Sequence, residues 1–201
     1  MKAGLNKVLV IAATLILAGC ASQQSAPSPA AASFSVVQIA PNLTLHMPSF
    51  GGLDRPVDIV QNVVMTYGDR VVSFEGRINA SSDHFTMVCI DPMGRRAISI
   101  KWTDGGISYE AAPWVPPQLR PQNILADFVV MYWPQSAVAK ALPSALVTSG
   151  ASGRSVFVDG KEILHAEYFP SVAGDIWSGK TTYKNSAWNY SLVIQSVSLT
   201  P

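Results

Sequence analysis

The chain has 201 residues, a length that suits one domain with its own hydrophobic core. Hydrophobic residues make up 48% of it and charged residues only 13%, about half of the roughly 25% that is usual for charged residues. The 14 basic and 13 acidic residues nearly balance, so the composition predicts no nucleic-acid partner.

The first twenty residues have the three parts of a secretory signal. Lys2 and Lys7 supply positive charge, residues 8–17 are apolar, and small residues precede Cys20. About ten apolar residues cannot cross a bilayer core roughly 30 Å thick, so a transmembrane helix is disfavoured.

Residues 17–20, LAGC, resemble a lipobox. The resemblance implies a signal peptide over residues 1–19, cleavage before Cys20 and a lipid anchor on its sulfur; the alternative is an ordinary secretory signal in which Cys20 is incidental. Several acyl chains make a firm anchor, whereas one is marginal. Ala21 stands where an aspartate typically retains such proteins in the inner membrane, so the resemblance favours the periplasmic face of the outer membrane.

Residues 20–33 predict a lipidated cysteine followed by a flexible tether, because the stretch is uncharged and rich in Ala, Ser and Pro. Residues 34–201 are then expected to form a single domain. If Cys20 is lipidated, Cys89 has no disulfide partner, and its apolar neighbours predict a small buried hydrophobe in preference to a reactive thiol.

From residue 57 onward, apolar and polar side chains alternate with a period of two, which predicts antiparallel strands with one buried face. Turn signals at Gly68, Asp69, Gly94, Gly105 and Gly106 separate them. The predicted strands of this meander are 57–65, 72–78, 84–91, 98–102 and 107–111.

A proline-rich crossing loop over 112–121 is followed by a change to helical spacing. Apolar residues at helical intervals predict a helix over 122–133, with Pro121 near its first turn. A second short helix is predicted from Pro134 through Leu142.

Strands then resume, with residues 150–153 predicted as a loop between helix and strand. The later predicted strands are 155–158, 161–169, 177–184 and 188–196. The order of strands, helices and strands predicts a mainly β fold in which a curved antiparallel sheet is covered on its concave face by short helices.

Several short motifs occur in the order seen in a bacterial lipoprotein family known as domain of unknown function 3261. The motifs are DPMGRR at 91–96, ILADF at 124–128, YWP at 132–134, the strand 154–158 and YSL at 190–192. Over about residues 55–198 the chain resembles this family, which is itself similar to the outer-membrane lipoprotein receptor LolB. Met93 replaces the more usual leucine.

The resemblance implies a half-open antiparallel barrel, capped by helices, whose apolar cavity receives acyl chains. Genes of this family are common in clusters that make aryl polyenes, membrane-bound conjugated carboxylic acids. The expected function is therefore to bind an acyl or polyene lipid and help place it in the outer membrane, with proteins of aryl polyene biosynthesis or export as possible partners. The alternative is an adaptor that recruits those proteins to the outer membrane without holding lipid.

Large apolar side chains facing the predicted sheet and helix are the candidate cavity lining, and a filled core is the alternative. The candidates are Phe74, Met87, Trp102, Leu125, Phe128, Val129, Tyr132, Trp188 and Tyr190. Arg95 and Arg96 follow a tight turn, where they could contact a head group or form a solvated rim. Asp127 interrupts the apolar helix; it either points to water or faces the sheet and needs a partner, for which Arg95 and Arg96 are the candidates.

No set of residues points to catalysis. His46, His84 and His165 are too dispersed to indicate a metal site and are expected on strand faces or the surface. No GxSxG elbow supports a serine nucleophile, which makes a periplasmic hydrolase the least favoured function. We therefore expect no enzyme, no cofactor and no metal.

Overall fold

Ten antiparallel strands form one open sheet in the computed structural model, which describes residues 34–199. The elements are β1 (Val36–Ala40), β2 (Leu43–His46), a 3-10 turn (Phe50–Gly52), β3 (Val57–Tyr67), β4 (Arg70–Ala80), β5 (Phe85–Ile90), β6 (Arg96–Thr103), β7 (Gly106–Ala111), α1 (Pro121–Tyr132), α2 (Gln135–Ala141), β8 (Leu146–Gly150), β9 (Gly153–Val158), β10 (Lys161–Pro170), β11 (Gly179–Asn185) and β12 (Tyr190–Ser198).

The sheet has the strand order β7-β6-β5-β4-β3-β12-β11-β10-β9-β8, and β1 and β2 form a separate hairpin. Within the described residues, the edge strands β7 and β8 do not pair with each other, so the sheet is not closed into a barrel. The predicted fold class, mainly β with a half-open antiparallel sheet and short helices, is confirmed.

The long hairpin of β3 and β4 is the centre of the sheet. Its two strands pair from Val57 opposite Ala80 to Tyr67 opposite Arg70. Gly68, with a φ of 56°, permits the tight turn between them. Along both strands buried and more exposed residues alternate over most of the length, because successive side chains of a strand point to opposite faces.

Helix α1 is the buried element that covers one face of this sheet. Leu125, Ala126 and Val129 are fully buried, and Val130 and Met131 nearly so. A helix that is apolar on all sides must be enclosed by other elements. α1 is enclosed by the β1 hairpin and by strands of the sheet.

A buried arginine and a tyrosine hold the end of α1. Arg154 Nη1 donates a hydrogen bond to the Val130 carbonyl oxygen at 2.6 Å, and Tyr168 Oη donates to the Met131 carbonyl oxygen at 2.5 Å. These carbonyls lie in the last turn, where no further helical residue can satisfy them. The positive charge of Arg154 also interacts favourably with the negative end of the helix dipole.

The prediction for residues 150–153 was right about a loop and wrong about the elements that it connects, which are two strands. These residues form the turn of the β8–β9 hairpin, in which Gly150 pairs with Gly153. The sequence pattern did not predict β8, because this strand is short and only Val147 among its residues is buried. Gly153 is required there, since an added Cβ would lie 2.6 Å from the Ala166 carbonyl oxygen of β10.

The predicted signal, Cys20 and the tether lie outside the described residues. Within residues 34–199, neither helix is long and apolar enough to cross a membrane.

Candidate hydrophobic binding site

An open cavity of about 690 Å³ lies between α1 and the inner face of the sheet. This volume falls within the range of roughly 300–1,000 Å³ that is typical of small-molecule sites. Inward residues of β3, β4, β5 and β12 form one wall, and one face of α1 forms the other.

Strand and helix periodicity together build the walls. Every second residue of β3 from Gln61 to Tyr67 lines the cavity, since alternate residues of a strand share a face. Their partners on β12, among them Leu192 and Ile194, extend the same wall. On α1 the lining residues recur at helical spacing and include Phe128 and Met131.

Gly76 leaves part of this space free. It is a buried, inward-facing residue in the middle of β4. The nearest atom to an added Cβ would be Ile78 Cδ1 at 3.4 Å, an ordinary contact distance. The backbone therefore tolerates a side chain here, and a large one would project into the cavity.

We assign the mouth of the cavity to residues 117–120, residues 187–189 and Tyr67, which are lining residues that are all exposed or half-buried. Arg120 lies over the Trp188 ring, with its guanidinium carbon 5.9 Å from the ring centroid. The side-chain oxygen of Asn185 fixes the turn that carries Trp188, accepting hydrogen bonds from the backbone nitrogens of Ala187 and Trp188 at 3.1 and 3.0 Å. The aromatic surface at the mouth is thus held in place by a fully buried side chain.

Asp127 lies in the cavity wall and is only 7% exposed. Its two carboxyl oxygens accept hydrogen bonds from Tyr183 Oη at 2.8 Å and Tyr190 Oη at 2.5 Å. Burial raises the pKa of Asp127 from 3.8 to about 7, although both tyrosine hydrogen bonds favour the charged form. Burial raises the pKa of Tyr183 and of Tyr190 well above the usual value as well, so both remain neutral donors.

Of the two sequence-based interpretations of Asp127, the one that points it to water was wrong, and the one in which it faces the sheet and needs a partner is right except for the choice of partner. It does not point to water, and its partners are tyrosines of β11 and β12, not Arg95 or Arg96. The tyrosines stand 56 and 63 residues further along the chain, and no local pattern links them to Asp127.

A polar cluster closes the inner end of the cavity. Gln61 Nε2 donates to Tyr132 Oη at 3.1 Å and to Ser196 Oγ at 3.0 Å, and Tyr132 Oη donates to Thr181 Oγ1 at 3.3 Å. All four residues are buried. Because each is hydrogen-bonded, the polar groups are tolerated beside apolar walls.

The predicted lining residues divide into two groups. Phe74, Met87, Phe128, Trp188 and Tyr190 line the cavity.

The prediction was wrong for Trp102, Leu125, Val129 and Tyr132, which are buried in the filled part of the core. Trp102 stacks on Trp133 with ring centroids 5.5 Å apart. Leu125 and Val129 lie on the side of α1 turned away from the cavity. The interior thus contains both of the alternatives left open by the sequence, a cavity and a filled aromatic core.

Arg95 and Arg96 lie outside the cavity lining. Arg95 pairs with Asp91 across the β5–β6 turn at 2.7 Å and covers the Trp114 ring at 4.4 Å. Arg96 approaches Glu110 at 3.5 Å on the exposed surface. Arg120 is the basic residue that the structure places at the mouth instead, and the sequence analysis did not select it.

Two histidines have a serine and a carboxylate nearby, but neither arrangement matches a catalytic triad. Ser81 and Asp83 both contact Nδ1 of His84, and Ser155 and Glu162 both contact Nδ1 of His165. A triad needs the nucleophile and the carboxylate on opposite ring nitrogens. Among residues 34–199, no group of three or more His, Cys, Asp or Glu side chains is arranged to hold a metal.

Cys89 is buried and lines the cavity. Burial raises the pKa of its thiol from 9.0 to about 12. It is therefore a neutral, apolar wall residue at physiological pH, as predicted.

The family model described as "Protein of unknown function (DUF3261)" matches residues 58–198. The comparison with curated proteins found no match. The crystal structure of LolA superfamily protein NE2245 from Nitrosomonas europaea is similar, with 8% sequence identity, a TM-score of 0.41 and coverage of 71% of this chain and 84% of that chain.

Proposed function

The chain belongs to the DUF3261 family, as its motifs predicted, and because that family's description assigns no activity, we propose a function from the cavity itself. The protein binds a single extended hydrophobic chain, acyl or polyene, between α1 and the sheet. Anchored to the outer membrane through Cys20, it helps to transport such a lipid or to place it in that membrane, and aryl polyene is the candidate cargo.

The open apolar cavity is the observation that carries this proposal. Protein interiors are close-packed, with few voids larger than a water molecule. A space of about 690 Å³ lined by Val63, Phe74, Met87 and Ile194 departs from that rule. Filling it with a hydrocarbon chain would contribute about 0.8 kcal/mol for each buried methylene.

The dimensions of the cavity favour an elongated ligand. Along α1 the lining runs from Arg120 to Met131, a rise of about 16 Å at roughly 1.5 Å per residue. Along β3 it runs from Gln61 to Tyr67, about 20 Å at roughly 3.3 Å per residue. A single extended chain has this shape, whereas a protein segment would bring backbone polar groups for which the walls have few partners.

The expected anchor would keep this cavity near its lipid source. Residues 21–33, fully extended at about 3.3 Å per residue, would reach roughly 40 Å from Cys20. That reach would let the mouth approach the inner leaflet of the outer membrane, where a hydrophobic ligand could pass without exposure to bulk water.

Blocking the cavity from within tests the proposal. The full chain in lipid nanodiscs is titrated with parinaric acid, a conjugated fatty acid that accepts energy from tryptophan on binding. Gly76→Phe should weaken saturable binding by about fifty-fold if its ring displaces about three methylene groups. Val71→Phe is the matched control, because Val71 lies on the same strand with 66% of its surface exposed.

A lipid carrier is supported if energy transfer from tryptophan to parinaric acid saturates in the wild-type chain and in Val71→Phe, and if this saturable signal is lost in Gly76→Phe. The proposal is contradicted if the wild-type chain shows no saturable energy transfer, or if both variants bind parinaric acid with equal affinity. In cells, normal aryl polyene placement by a membrane-anchored Gly76→Phe protein would favour the adaptor role instead.

A further inference from the structure

The charges in the cavity are placed unevenly along its length. Arg120 and Asp127 are the only charged residues among those described that line it. Arg120 lies at the mouth, and Asp127 lies two helical turns further in along α1. A ligand with a charged end would therefore meet opposite charges at different depths.

Arg120 is available to a ligand. Within residues 34–199 it forms no ion pair with a carboxylate, whereas Arg55, Arg77, Arg95 and Arg96 each form one. It caps α1 through its backbone, without a side-chain hydrogen bond. Its guanidinium stays beside the Trp188 ring, an arrangement that restricts its position and leaves its N–H groups free to bind an anion.

Deeper in the cavity an anion would be disfavoured. Both oxygens of Asp127 already accept hydrogen bonds from tyrosines. Beyond Asp127 the described lining holds Phe128, Met131 and Cys89, with no basic side chain. Moving a negative charge past a buried carboxyl into such surroundings would cost desolvation without a compensating cation.

We propose that the ligand is a hydrophobic chain ending in a carboxylate, which enters tail first and pairs its carboxylate with Arg120 beside Trp188. This inference rests on the proposed function and specifies the ligand and its orientation. A single guanidinium balances a single negative charge, which fits a carboxylate better than a phosphate monoester carrying about −1.5 to −2.

Parinaric acid and its methyl ester test the assignment, since they share a chain and differ in charge. Each is titrated into the full chain in nanodiscs at low salt and about pH 8, with tryptophan energy transfer as the readout. The acid should bind about fivefold more tightly than the ester, the upper range for a solvent-exposed ion pair. High salt should reduce that preference.

Arg120→Ala should remove the preference by lowering the affinity for the acid to about that for the ester, while Arg120→Lys should retain part of the preference. Arg96→Ala is the matched control, because Arg96 is exposed and outside the cavity, and it should keep the full preference. Equal binding of acid and ester to the wild-type chain, or an equal loss of both in Arg120→Ala, overturns the inference but not the carrier function.

Saturable binding of neither probe overturns the carrier function and this inference together. Hexadecyl phosphate and hexadecanoate serve as competitors. Stronger Arg120-dependent displacement by the phosphate overturns the carboxylate assignment, and stronger displacement by hexadecanoate supports it.

Discussion

Replacing Asp127 by asparagine should change how the stability of the fold depends on pH. Burial raises the pKa of Asp127 from 3.8 to about 7, so the folded chain keeps this proton over a range in which the unfolded chain has lost it. Each pKa unit corresponds to about 1.4 kcal/mol, and the shift of about three units corresponds to about 4 kcal/mol of unfolding free energy.

The sign follows from which state holds the proton. Well below pH 4 both states are protonated at Asp127, and the raised pKa has no cost. Between about pH 4 and pH 7 the unfolded state ionises first, so the free energy of unfolding falls as pH rises, and it levels off above pH 7. The introduced asparagine would mimic the protonated carboxyl, because its amide can accept from one tyrosine and donate to the other.

Asp127→Asn should therefore match the wild type near pH 3 and exceed it near pH 8 by up to about 4 kcal/mol, or about 10 °C in Tm for a domain of this size. Urea unfolding followed by tryptophan fluorescence at half-unit pH intervals measures the difference. Subtracting the two curves removes the contribution of the other titrating groups to the free energy of unfolding. Among these, Asp83, Asp91 and Glu162 have lowered pKa values, so their contribution to stability rises with pH.

Glu162→Gln is the control for a carboxylate outside the cavity. The pKa of Glu162 is lowered, first by its hydrogen bond with Ser155, so this group contributes stability that is lost only as pH falls through the acidic range. The variant should retain the decline between pH 5 and pH 7. If the wild-type and Asp127→Asn curves run parallel across that interval, Asp127 is ionised in the folded chain and the reasoning fails.

Two further predictions concern buried groups. Arg154→Ala should lower the free energy of unfolding by about 2–3 kcal/mol, because it leaves the buried Val130 carbonyl without its charged donor; urea unfolding measures this, and a loss no larger than that of exposed Arg77→Ala would contradict it. Cys89 should resist iodoacetamide in the folded chain, since burial raises the pKa of its thiol to about 12. Mass spectrometry should find it alkylated only after unfolding, and rapid labelling under native conditions would show that the cavity exposes it.

The sequence predicted the sheet well because most strands are half-buried. In β3 and β4 the inward and outward residues differ in polarity, and that difference repeats with the period of a strand. β8 was missed because an edge strand with one buried residue has almost no such contrast. α1 was found from its helical spacing, with bounds one residue from those predicted.

The face of α1 that lines the cavity could not be predicted from the same pattern. Leu125 and Val129 are as apolar as Ile124 and Phe128, yet only the second pair lines the cavity. A helix that is apolar all round gives no periodic signal for direction. Asp127 held the information, because it shares a face with Ile124 and Phe128, but its tyrosine partners come from distant strands.

The cavity stays open because α1 is held at both ends and not only at its middle. At the inner end Arg154 and Tyr168 bind the last carbonyls of α1. At the mouth end Asn123 Nδ2 donates to the Gln38 carbonyl oxygen at 2.9 Å, which fixes α1 to β1. Collapse of α1 onto the sheet would break these hydrogen bonds, and a buried group left unpaired costs about 1–3 kcal/mol. Closing the space would bury apolar surface but leave the Val130 and Met131 carbonyls unpaired, whereas a hydrocarbon ligand supplies the apolar contact and leaves both of these hydrogen bonds in place.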